Sequence, residues 1–250
     1  MTFVGLLLPL AVAAVIALVM AALVEPGPWL ARLVEASCWA VIAIAVVTGA
    51  IEIGQTLIGD TTTVQVPLAV HAPDVLVPGV VIDKPAAVIV SGGVDRATLT
   101  IHGLSWEARS LLSLETLLQV ATVVFLAWVI RRLARNIQAG APFARLSRPL
   151  VQAAAVLFGG GFLWSIAGGV GAYMAGREAL EIHGWHGPDS VLGGLPLDPN
   201  TALSYLGWPQ PADWSINFSI LPFAVAVVLT LLGLAFRTGE RLQKDTEGLI

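Results

Sequence analysis

The residues of this chain whose types and spacing could do chemistry fall into three groups. Glu52 in I-E-I-G-Q-T and Glu115 in L-S-L-E-T-L-L-Q each stand inside an apolar run. An ionisable side chain there is costly and marks a functional candidate that faces other helices. Gln55 follows three residues after Glu52 and Gln119 four after Glu115, spacings that put each pair on one helix face. Facing carboxylates can bind a cation or share a proton. The plainer alternative is that both are hydrated near a membrane surface, or pair with Arg109. The second group is Glu181-Ile-His183-Gly-Trp-His186-Gly-Pro-Asp189. Two imidazoles flanked by acids are a donor set for a transition metal, or a register of pH between about 5 and 8. Glycine and proline leave that geometry unset, so a solvated loop is the simpler expectation. The third is Arg131, Arg132, Arg135, Arg145 and Arg148, five guanidiniums with no acid between Ile130 and Arg148.

The elements that must position these groups are bilayer spans. Apolar residues make up 56% of the 250 and charged residues 12%; mean hydropathy is +0.83. Soluble domains run at about 45–50% and about 25%, so the composition is that of a membrane protein. Five segments reach the roughly 20 apolar residues a spanning helix needs: Phe3–Val24, Ser37–Ile58, Leu111–Ile130, Pro149–Ala175 and Trp214–Phe236. Pro222 is expected to bend the last of them. The N-terminal run lacks the basic start of a cleaved leader and reads as a retained span. Cys38 is the only cysteine, so no disulfide forms within the chain.

Cationic connectors stay on the cytoplasmic side of the bilayer. With the arginine connector inside, the N-terminus and two larger loops lie outside and the C-terminus lies inside. The loop from Gly176 to Asp213 agrees, with one arginine against five acids. The Glu25–Ala36 connector, with only Arg32 as a cation, argues least for this threading. Whether the first two spans make a full hairpin across the membrane stays open. Between Gly59 and Ser110 the pattern changes to β-branched runs such as T-T-V-Q-V-P-L-A-V and A-T-L-T-I-H-G, broken by Asp83-Lys84-Pro85 and Gly92-Gly93. About 50 residues without a disulfide bury little core of their own. This β-rich insertion must therefore lean on the membrane face, on the second outer loop, or on a partner. The expected fold is an all-α polytopic membrane protein of five transmembrane helices with a small extracytoplasmic β-rich insertion. Its parts are residues 1–58, two helices; 59–110, the β-rich loop; and 111–250, three helices with the arginine loop and tail.

Two motifs carry a family resemblance. The run Arg131-Arg-Leu-Ala-Arg-Asn-Ile-Gln-Ala-Gly140-Ala-Pro142-Phe143 resembles the L-x-x-L-x-x-N-I-x-x-G-x-P-F loop of a bacterial membrane family, domain of unknown function 2975. The ending from Phe236 to Ile250, with Asp245-Thr246-Glu247-Gly248, resembles that family's F-x-x-G-x-x-L-x-x-D-T-E-G-L terminus. The chain differs from the family pattern after Phe143 and in having an extra N-terminal span. The resemblance implies a bacterial inner-membrane protein found beside a small helix-turn-helix regulator, and implies no enzyme activity.

Charge suggests that Asp245 and Glu247 dock on Arg131, Arg132 or Arg135 to form one cytoplasmic patch. Gly140 and Pro142 would turn the chain back there, and Phe143 would anchor it at the interface. The alternative is that the arginines set topology and meet anionic headgroups. Gly161, Ser165 and Gly169 repeat at i, i+4 and i+8, a face for homo-oligomer contact or for packing within the chain.

No nucleophile elbow, H-E-x-x-H or phosphate-cradling loop is present. The expectation is a binding, signalling or regulatory-partner protein of the cell membrane. It has no cofactor and no direct nucleic-acid binding, and the lipid bilayer is its first partner. The alternative is a solute or ion transporter working through Glu52 and Glu115.

Overall fold

The computed structural model describes residues 28–71, 94–138, 147–181, 209, 212 and 220–247. The expected first span, Phe3–Val24, lies outside them, as do Gly140, Pro142, Phe143, His183, His186 and most of the second outer loop. The described chain is mostly helical: α1 (Pro28–Ile58), β1 (Thr61–His71), β2 (Val94–His102), α2 (Trp106–Gln138), α3 (Ser147–Leu180) and α4 (Ile220–Glu247). All four helices are long and apolar enough to cross a membrane. The expected count of five is therefore seen as four among the described residues.

The helices outrun the apolar windows. α1 starts at Pro28, a residue suited to a first turn, so that Pro28–Ala36 is helix and not connector. α2 runs from Trp106 to Gln138, past both ends of the expected Leu111–Ile130, because Glu107, Arg109 and Arg131–Gln138 are good helix formers outside the apolar core. α4 is described from Ile220, which places Pro222 in its first turn.

Two compact units are described separately. The first takes residues 1–54, 113–167 and 217–250. In it, small residues let helices approach. A Cβ on Gly49 of α1 would run into Val120 Cγ2 of α2, and one on Gly160 of α3 would lie 2.6 Å from Thr122 Oγ1. Further along the first seam, Val34 and Cys38 are fully buried against Ala134 and Ile130. The order of these contacts makes α1 and α2 antiparallel. Leu126 and Val129 of α2, Ala153, Ala154, Leu157 and Trp164 of α3, and Ala226 of α4 form the main core. Phe158 meets Phe223 edge-on at 5.0 Å.

The second unit takes residues 55–112 and 168–216. Its two strands pair antiparallel from Thr61↔His102 to Pro67↔Arg96, with an irregularity before His71↔Val94. Alternation is strict along β1. Thr62, Val64, Val66 and Leu68 are buried, and Thr61, Thr63 and Gln65 are exposed. The buried face packs on Leu104, Ala108, Ala175 and Leu180, and a Cβ on Gly176 would stand 2.5 Å from Val66 Cγ1. The hairpin thus borrows its core from the N-terminal turn of α2 and the C-terminal turns of α3. Ala212, in the second loop, donates its N–H to the Pro67 carbonyl at 3.1 Å.

Candidate functional site

The arginine-bearing end of α2 is built against α1. Arg131 and Arg135 are one helical turn apart and present their guanidiniums on one face. Glu35 of α1 meets both through a single oxygen. Its Oε1 accepts from Arg131 Nε at 2.9 Å and from Arg135 Nε and an Nη at 3.0 and 2.6 Å. One turn along α1, Trp39 lies under the Arg131 guanidinium, 4.5 Å from ring centroid to Cζ, a cation–π contact. Arg131 is thereby enclosed (18% of its side chain is exposed), while Arg135 keeps 55% exposed. Arg132 stands over Trp128 at 5.7 Å. Two guanidiniums share one carboxylate and Arg132 adds a third cation beside them, so these four side chains carry an excess of two positive charges.

Glu35 and Trp39 were not among the expected site residues. Their signal was nonetheless present: Glu35 and Trp39 are four apart, as are Arg131 and Arg135, so two helices each offered one complementary face. A span beginning at Ser37 leaves Glu35 in a connector.

The intramembrane polar residues behave differently. Gln119 donates to Glu115 Oε1 at 3.0 Å along α2, as their spacing suggests. Glu52 stands one turn beyond Gly49, the residue of α1 that closes on Val120 of α2. Both glutamates are half-buried, whereas Gln55 is exposed. Arg109, the expected alternative partner, donates instead to the carbonyls of Leu104 and Gly59 at 3.0 and 2.8 Å. Among the described residues no group of three or more His, Cys, Asp or Glu could hold a metal.

Of the glycine stripe, Gly161 faces Pro222 of α4 (3.0 Å from a built Cβ), a packing contact inside the chain. Ser165 is buried and spends its hydroxyl on the Gly161 carbonyl at 2.8 Å; Gly169 lies two turns beyond Gly161, in the second unit. Asp245, Thr246 and Glu247 fall in the last turn of α4.

Four helices of spanning length and composition make this a multi-pass membrane protein. Compared with family models, with curated proteins and with solved structures, the chain matches none.

Proposed function

We propose that this chain is a binding and signalling protein of the bacterial cell membrane. It would meet a ligand or protein at the extracytoplasmic hairpin and a soluble regulator at the cytoplasmic arginine loop and tail. One observation carries the reading. α2 is a single unbroken helix of 33 residues, long enough at about 1.5 Å per residue to cross a bilayer with turns to spare. It holds Ala108 of the hairpin's seat near its start and Arg131–Arg135 near its end. The absence of a nucleophile or phosphate-binding motif in the sequence also favours binding over catalysis. In this reading the N-terminus lies outside and the C-terminus inside.

The test is photo-crosslinking from native membranes, with probes at Gln65 on the hairpin's exposed face and at Arg135. A stoichiometric soluble protein captured at Arg135 supports the proposal. Capture of nothing at either probe, together with solute flux in proteoliposomes, overturns it. A specific observation favours that second outcome: two half-buried carboxylates, Glu52 and Glu115, stand within apolar helices, the second with Gln119 as an amide partner. A transporter of protons or small cations could work through them.

A further inference from the structure

The lipid-facing side of α2 has its own composition. Leu114, Leu117, Ala121, Trp128 and Arg132 are all exposed and recur at three-, four- and seven-residue steps, which place them on one face. Leu117 is 53% exposed and Trp128 43%. On a membrane helix such a stripe is faced by acyl chains. It ends in an indole, which favours the headgroup level, and then in Arg132, whose guanidinium stands over that indole. Among the described residues Arg132 makes no ion pair, and Glu35 is already occupied by Arg131 and Arg135. Arg135 falls at the edge of the same face and keeps most of its surface.

The geometry points to a binding surface for one anionic phospholipid, with its acyl chains along Leu114–Trp128 and its phosphate against Arg132 and Arg135. Charge complementarity selects this occupant. The cluster is two charges positive after Glu35 is counted, and the surplus lies at the end of an apolar stripe where a phosphate ester is the available anion. A zwitterionic lipid covers the same stripe but brings its own cation. Headgroup charge, not chain length, is therefore what this surface discriminates.

The experiment uses the full chain purified in detergent, with lipid retention followed by native mass spectrometry. The probes are phosphatidylglycerol and phosphatidylcholine with identical acyl chains. Phosphatidylglycerol is expected to be retained about fivefold more tightly, the factor one surface guanidinium is worth. Arg132→Gln should reduce that ratio to near one and Arg132→Lys should keep most of it. Arg177→Gln should leave it unchanged, because Arg177 is already paired with Glu181 at 2.7 Å. Equal retention of both lipids by the unaltered chain overturns the proposal, as does a preference that survives Arg132→Gln. Millimolar glycerol phosphate that displaces the lipid would show that the acyl stripe contributes nothing, against the proposal. A second copy of the chain, or a soluble protein, held in place of lipid through Arg132 would refute it as well.

Discussion

The hairpin seat and the arginine end of the α1–α2 seam are assembled on different principles. In the seat, most polar groups are consumed internally, the buried Thr62 hydroxyl excepted. Glu178 accepts from the Ser105 N–H and hydroxyl at 2.8 and 2.6 Å, Ser105 caps α2, and Arg109 gives its donors to backbone carbonyls. What holds the sheet is apolar closeness, with Val66, Ala108 and Ala175 at 0% exposure. At the arginine end the burial is smaller, Val34 and Cys38 against Ala134, and one carboxylate holds two of three cations. A region that satisfies itself is a scaffold. A region left with surplus charge invites something from outside the chain.

The substitution with the largest expected effect breaks the seat. Gly176→Leu would drive a side chain into Val66, where a single Cβ already stands at 2.5 Å. Overpacking of this kind costs about 1–3 kcal/mol, and this case belongs at the upper end. The thermal midpoint in detergent should fall and trypsin should reach Arg96 in β2; an unchanged midpoint would mean that the sheet does not sit there. Val66→Ala removes buried surface without a clash and should cost about 2 kcal/mol, a loss that salt leaves intact. Glu35→Gln sharpens the contrast, because it leaves two guanidiniums on a neutral amide. Its smaller drop in midpoint should shrink further in 1 M salt, where charges only a few ångströms apart are screened. A salt-independent loss at Glu35 would erase the distinction between the two regions. The smallest effect is expected from Glu115→Gln, which preserves shape, lets the side chain still bond Gln119, and removes the cost of a half-buried charge. Its midpoint should equal or exceed that of the unaltered chain. A fall would show that Glu115 has an opposite charge as partner.

Much of the architecture could be read from residue order. The apolar runs behind α1, α2, α3 and α4 stand out against any turn chemistry, and the β-branched runs at Thr61 and Ala97 alternate as half-buried strands do. What could not be read is where helices continue beyond the apolar window. Nothing in hydropathy distinguishes a helical Trp29–Glu35 from a connector, since that difference is set by what Glu35 meets on α2. For the same reason the arginines were legible as a charged cluster, but the clasp that holds two of them was not. The seat of the hairpin was legible only as a need. A sheet so short requires a surface to cover it, and that surface comes from two helix ends more than seventy residues apart along the chain, as the Ser105–Glu178 bonds show.

The account depends most on Thr98 and Arg135 lying on opposite sides of one bilayer. With Cys38→Ser as background, Thr98→Cys and Arg135→Cys each supply one exposed thiol. A membrane-impermeant maleimide applied to intact cells should modify the cysteine at position 98, and should reach position 135 only after the membrane is opened. Labelling of 135 in intact cells, alone or together with 98, would contradict the threading and the partners assigned to each side.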